Sequence, residues 1–288
     1  MGGDGLAEDA KDEKPLPAGV RITDPAYRGS GRHFLGEERL VLKAARRDGA
    51  REFIEEWVNE MVTYRVAGRL GVPIPETSVK RMENGELRLS SVFYSNVDLQ
   101  HIPVEQRTRI ANLRDLPGLF ILDQFVFNMD RREDHIMLTG DPNTEPHVLW
   151  YAIDHGHAFR GPDGSGLTVE AVDQLAKELA PVGIDYGIRY YSDLEPWLRR
   201  LLQLSDTAID ALVLDVVNGI VALGVTVDVR VRLEFRGEVV RALLKRRRDA
   251  LPALLQNWCR ANGKPDAPPE PPPSEADHES SQSVEGRV

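Results

Sequence analysis

Between Asp123 and Leu138 a strongly apolar stretch stops in a run of six charged or titratable residues, Asp130, Arg131, Arg132, Glu133, Asp134 and His135, and turns apolar again at Ile136. Alone, such a run reads as a solvated turn. The arrangement recurs at residues 149–159, where a short apolar strand pattern runs straight into Asp154, with Gly156 and Phe159 behind it. An acid at the end of a buried strand is held rigidly, because the packed side chains of the strand fix the backbone that carries it. Two such acids from neighbouring segments put both at the edge of a cleft, and this pair constrains the fold more than any other feature.

The chain in front of that pair differs in pattern from the chain around and behind it. Residues 18–95 read as short strands around one helix. A hairpin over 32–35 and 39–44 turns about Gly36, Glu37 and Glu38, and a helix follows over 51–70, with Phe53, Ile54, Trp57, Met61, Val62 and Val66 spaced for one buried face. Gly71 ends that helix, Pro73 and Pro75 forbid its continuation, and residues 86–93 read as another strand pair. From Leu116 onward the pattern is mostly helical, over 116–128, 168–179, 193–204, 206–223 and 229–260, with a buried strand at 149–153. A β-rich front and an α-rich back, joined near residues 96–115, predict an α+β chain in two lobes: an N-lobe over 18–95 and a helical C-lobe over 96–263. Residues 1–17 and 264–288 have almost nothing to bury and read as disordered tails, the second rich in Pro, Ser and Glu.

The 288 residues carry 36 Lys and Arg against 46 Asp and Glu, a net charge of −10. Residues 1–14 account for −3 of it and residues 265–288 for −5, which leaves −2 for the 250 residues between. The acidity belongs to the tails, so the folded part can hold a basic pocket, while direct nucleic-acid binding by charge is not expected. Cys259 is the one cysteine, which rules out an intramolecular disulfide and a thiolate zinc cluster; it reads as a small filler beside Trp258. No apolar run reaches about 18 residues, and the N-terminus lacks the basic-then-apolar pattern of a signal peptide. A cytoplasmic protein with no membrane insertion is the expectation.

Phosphoryl transfer needs two acids in different roles, one to orient the attacking hydroxyl and one to hold Mg²⁺ on the nucleotide phosphates. Asp130 and Asp154 suit those roles. Lys43 lies inside the apolar strand pattern of residues 40–44, where an ammonium is costly to bury without a partner. The other reading of Lys43 is an outward-facing residue on a half-exposed strand. Ahead of the hairpin, Gly29, Ser30 and Gly31 form a turn whose N–H groups can cradle phosphates. Glu60 is a natural ion-pair partner for Lys43 if the first helix packs across the sheet, with Glu52, Glu55 and Glu56 read as solvent-facing acids.

The order of these features is a glycine-bearing turn, a strand lysine, Asn59 and Glu60 in a helix followed by Leu70, Gly71, Val72, Pro73, Ile74 and Pro75, then Asn128, Asp130 and Arg131, then Ile153, Asp154 and Gly156. It resembles the HipA-like kinases, which share their core with phosphatidylinositol 3- and 4-kinases. The resemblance implies a protein-kinase-like fold with ATP between two lobes and phosphate transfer to a hydroxyl, here a Ser or Thr on a protein substrate. It implies that Lys43, with Glu60 and the turn of Gly29, Ser30 and Gly31, serves the nucleotide, that Asp130 is the catalytic acid, and that Asp154 holds the metal. One position departs from the family, which places an Asn five residues after the catalytic acid as a second metal ligand; His135 stands there. An imidazole suits Mn²⁺ better than the harder Mg²⁺. Asp134, one residue earlier, is the alternative ligand. The same departure keeps open a pseudokinase that binds nucleotide as a regulatory or scaffold module, and the shared core keeps open a lipid or small-molecule kinase.

Other features read more plainly. Lys245, Arg246, Arg247 and Arg248 read as the solvated face of a late helix, and Trp150, Tyr151, Trp197 and Trp258 read as core. Tyr186, Tyr190 and Tyr191 are expected to line an acceptor groove.

Overall fold

Helix α1 (Glu55–Leu70) is buried on nearly every side, and the rest of the chain is arranged to satisfy it. The computed structural model describes residues 33–35, 40–45, 47–48, 51–160 and 167–268. Glu55 and Glu56 open the helix, where its dipole favours negative charge, and Gly71 closes it at φ 75° with its N–H on Ala67 O. Phe53, Ile54, Trp57, Met61, Val62 and Val66 are buried as the spacing predicts, and Val58 and Leu70 are buried with them. Yet Glu55, Glu56, Asn59, Glu60 and Thr63 are buried as well, so the polar side of α1 must find partners inside the protein. The helix starts later than predicted because Arg51–Glu52 forms a strand, β4, paired with β3 (Arg47–Asp48).

In front of α1 lies a four-stranded antiparallel sheet in the order β1 (His33–Leu35), β2 (Leu40–Lys43), β6 (Leu87–Val92), β5 (Thr77–Arg81). The predicted hairpin is present as β1 and β2, with His33 opposite Lys43. Strand alternation sends Leu42 into the core and turns Val41 and Lys43 toward a cavity. Register then sets Lys43 beside Leu89, and Val41 beside Ser91 with Thr77 as the next neighbour. Residues 86–93 hold one strand instead of the predicted pair. Its outer partner, β5, comes from the segment after Pro73 and Pro75, whose prolines keep the chain extended until it enters the sheet.

Behind α1 the chain runs through α2 (Leu116–Phe125), the antiparallel ribbon of β7 (Ile136–Leu138) and β8 (Trp150–Ala152), α3 (Ala171–Leu175), α4 (Glu195–Leu202), α5 (Asp206–Ala222) and α6 (Val227–Ala261). Sequence periodicity overstates α2 and α3. The backbone at Phe127 turns left-handed (φ 50°), which stops α2, and α3 has five residues where twelve were predicted over 168–179. Pro265 and Asp266, grouped with the C-terminal tail by composition, accept hydrogen bonds from the N–H groups of Tyr191 and Ser192. Among the described residues no helix is long and apolar enough to cross a membrane.

The basic run on α6 is a solvated face only in part: Arg246 is exposed, and the other three are not. Lys245 and Arg248 pair with Asp210 and Asp206, and Arg247 is fully buried. Arg247 donates to the carbonyls of Gln124, in the last turn of α2, of Leu175, the last residue of α3, and of Glu178, three residues beyond it. Burial pulls its pKa down to about 9, so the charge is retained at neutral pH. Arg247→Met keeps the stem and removes the guanidinium's bonds to all three carbonyls; it should cost about 2–4 kcal/mol in a denaturant titration. A change below about 0.5 kcal/mol would show that Arg247 does not tie α2 and α3 to α6.

Candidate functional site

Asp123, in the last turn of α2, is the hub of the charged run that follows it. Its Oδ1 accepts from Asn128 Nδ2 (2.9 Å) and Arg131 Nη2 (3.0 Å), and its Oδ2 from Arg131 Nε (2.9 Å) and Tyr186 Oη (2.9 Å). Arg131 and Asp123 are both buried, so this two-point pair is a desolvated ion pair with all four contacts used. Burial works against the Arg131 charge, but Asp123 outweighs it and raises the pKa. Arg131 then reaches across to the second acid segment: Nη1 donates to Ile153 O (2.8 Å), and Nη2 meets His155 Nδ1 (2.9 Å). The two acid segments of the sequence are therefore pinned to one guanidinium. Tyr186, expected to line an acceptor groove, is buried and spends its hydroxyl on Asp123.

Lys43 meets three carboxylates. Its Nζ is 2.6 Å from Glu56 Oε1, 3.2 Å from Asp154 Oδ1 and 3.6 Å from Glu60 Oε1. Glu56 and Glu60 are one helical turn apart, so both face the same way from α1. Burial lowers the Lys43 pKa, but Asp154, Glu60 and Glu56 together overturn that and raise it. Burial likewise disfavours an ionised Asp154, and Lys43 and His135 overcome it, holding that acid below the usual carboxylate range. Glu60 goes the other way: burial pushes it up to about 7, Lys43 pulls it back only in part, and Asp154 adds to the rise.

Asp154 itself sits in a left-handed backbone conformation, φ 57°, one that Asp tolerates better than most residues. The strain, of order 1 kcal/mol, is held by contacts on both sides. His155 N–H donates to Glu60 Oε2 (2.9 Å), and Asn59 Nδ2 donates to Gly156 O (2.7 Å). Gly156 has to be glycine here, since a Cβ would fall 2.7 Å from Glu56 Cγ and Oε1.

These residues edge a cavity of about 550 Å³ between the sheet and the β7–β8 ribbon. Val41, Ile74, Leu89, Phe93, Met137 and Ile153 give it apolar walls; Lys43, Glu60, Arg132, Asp134, His135 and Asp154 make its polar end. His135 is buried, with Nε2 3.7 Å from Asp154 Oδ2 and 3.9 Å from Asp134 Oδ1. Arg132 Nη2 approaches the same nitrogen at 2.6 Å. A guanidinium can only donate, so Nε2 carries the lone pair. Burial, together with Arg131 and Arg132 and against Asp154, holds the His135 pKa below its usual value.

The sequence candidates thus divide. Lys43, Glu60, Asp134, His135 and Asp154 converge on the cavity. Asp130 is half-buried on the loop, its N–H on Asn128 Oδ1 (3.3 Å), and does not line the cavity. Gly29, Ser30 and Gly31 lie outside the described residues. Glu55 and Glu56, read as solvent-facing, are buried, Glu56 on Lys43 and Glu55 on Arg232 at 2.8 Å. The turn spacing of Glu56 and Glu60 was a signal that both could serve one lysine. Nothing in the sequence marks Arg131 or Arg236 as buried.

The donor set suits a divalent cation. Glu56, Glu60 and Asp154 bring oxygens within 4.8 Å of one another, and Lys43 supplies one positive charge to that group. Beside it, His135 Nε2 stands near two carboxylates, Asp134 Oδ1 pairs with Arg132 Nε at 3.2 Å, and among the described residues His135 Nδ1 makes no hydrogen bond. A neutral imidazole flanked by carboxylates is a mixed N/O donor set.

No protein-family profile and no curated protein matches this chain. Among solved structures it is similar to a Helicobacter pylori proinflammatory kinase, CtkA, with a TM-score of 0.55 and 12% identity, covering 84% of this chain and 96% of that one. At such low identity the likeness is one of fold. The chain has a kinase-like fold of mixed helix and sheet.

Glu60 yields a pH prediction. Its folded pKa, about 7, lies above the ordinary 4.5, so the folded state binds the proton more tightly and stability falls as pH rises from about 5 to 8. His135 and His155, with lowered pKa values, act in the opposite sense but are present in both proteins compared. Glu60→Gln should therefore gain on wild type by roughly 2 kcal/mol between pH 5 and pH 8 in denaturant titrations. Parallel profiles would show that Glu60 titrates as an ordinary carboxyl.

Proposed function

We propose that this chain is an ATP-dependent phosphotransferase of the HipA-like type that acts on a Ser or Thr hydroxyl of a protein. The observation that carries the reading is Lys43 Nζ held between Asp154 (3.2 Å) and Glu56 (2.6 Å) at the polar end of a cavity with apolar walls. Its volume, about 550 Å³, falls within the range of small-ligand sites. The kinase-like fold supports the same reading. On this reading the four-stranded sheet with α1 forms the N-lobe, and the helical remainder the C-lobe.

In this mechanism the apolar walls take the base of ATP and Lys43 holds its phosphates. Asp154, with His135 or Asp134, would hold Mg²⁺ or Mn²⁺, which neutralises phosphate charge as it is transferred. Lys43 and the left-handed Asp154 are fixed before substrate arrives, so little reorganisation is left for the reaction. Asp130, on the half-exposed side of the loop, would orient the acceptor hydroxyl entering from solvent.

Arg132 favours a second reading. Its guanidinium spans Asp134 (3.2 Å) and His135 (2.6 Å), so a cation already occupies the polar end, as in a pseudokinase that binds nucleotide without metal. Calorimetry of ATP binding with Mg²⁺, with Mn²⁺ and without metal decides between them. The enzyme reading predicts metal-dependent binding, weakened at least about tenfold by Asp154→Asn. Binding that ignores both metal and the Asp154→Asn change would establish the pseudokinase, and no binding would contradict both readings.

A further inference from the structure

We propose that Arg236, on α6, is a positioning residue that sets the place of Asp154 without touching it. This rests on the reading of Asp154 as the metal-holding acid. Arg236 is buried, 4% exposed, and its guanidinium reaches two points of the chain. Nη2 and Nε donate to Asn59 Oδ1 at 2.9 and 3.3 Å, and Nη2 also meets Phe159 O at 3.2 Å. Asn59 passes the first contact on: its Nδ2 donates to Gly156 O at 2.7 Å. Arg236 thus grips the segment after Asp154 at Gly156, through Asn59, and at Phe159 directly.

The geometry of that segment explains why a grip is needed. Asp154 and Phe159 are both left-handed, at φ 57° and φ 54°, and neither is glycine. Each is disfavoured locally, so the path between them persists only where the surroundings fix it. Arg131 fixes the entry, at Ile153 O, and Glu60 fixes His155. Asn59 holds Gly156 O, while Phe159 is held on both sides of its backbone, its N–H on Val126 O (2.7 Å) and its carbonyl on Arg236. The Asn59 side chain has one oxygen and one nitrogen, and Arg236 can only donate. Arg236 therefore fixes which end of the amide faces α6 and which end faces Gly156. Without it Asn59 Oδ1 loses both of these donors, and the amide that holds Gly156 O is fixed less firmly.

Groups that orient a metal ligand from behind characteristically change metal affinity by about ten- to a hundredfold. The test is Mn²⁺ binding to the full chain with ATP present, followed by electron paramagnetic resonance, for wild type, Arg236→Met, Arg236→Gln and Arg247→Met. Arg236→Met should weaken Mn²⁺ by about tenfold or more, and Arg236→Gln, which keeps one donor for Asn59, should recover part of the loss. Arg247→Met removes an equally buried guanidinium from α6 away from Asp154 and should leave Mn²⁺ affinity unchanged, although it lowers stability.

Equal Mn²⁺ affinity in wild type and a folded Arg236→Met or Arg236→Gln protein would overturn the proposal. So would an equal loss in Arg247→Met, since the effect would then follow stability alone. A wild-type protein that binds ATP but no Mn²⁺ would fail at the reading of Asp154 and would take this inference with it.

Discussion

The structure depends on one ammonium group. Lys43 comes from β2, Glu56 and Glu60 from α1, and Asp154 from the end of β8, so a single charge joins the sheet, the central helix and the helical remainder. Desolvation opposes the charge on Lys43 and on Asp154, and in both cases the mutual attraction wins. Glu60 is the exception that shows the balance: three carboxylates share one lysine, and Glu60, the farthest of them from the ammonium, is pushed toward its neutral form. A cluster with spare negative charge beside a polar cavity end is well suited to receive a further cation.

Around that cluster the protein uses buried arginines as cross-links. Arg131 ties the loop after α2 to the end of β8, Arg236 ties α6 to α1 and to Phe159, and Arg247 ties α6 to the ends of α2 and α3. Most of these bonds end on backbone carbonyls, so what they fix is chain path. With Cys259 its one cysteine, the chain cannot fix these paths by an intramolecular disulfide, and a guanidinium with five donors serves the purpose inside a core.

Much of this was legible in the sequence, and the misses share a cause. The apolar spacing of α1, its end at Gly71 and the strands carrying Lys43 and Asp154 follow from periodicity and turn chemistry, and they are present. So is the convergence of Lys43, Glu60, Asp134, His135 and Asp154 on one cavity. What could not be read was the fate of charge. Glu55, Glu56 and Arg247 look like surface residues because burial of a charge is disfavoured unless a partner is in place, and their partners lie far away in sequence. Helix ends were overstated for a related reason: the left-handed turn at Phe127 is imposed by tertiary contacts, and Phe carries no local signal for it.

The central claim is that the Lys43 cluster is a nucleotide site. Hydrogen exchange of the full chain with and without ATP and Mg²⁺ tests it most directly, because it reports where a ligand acts without assuming a substrate. The account predicts added protection in β2 around Lys43, in α1 around Glu56 and Glu60, and across residues 153–159, with α5 unchanged. Protection confined to other segments, or none at saturating nucleotide, would contradict it.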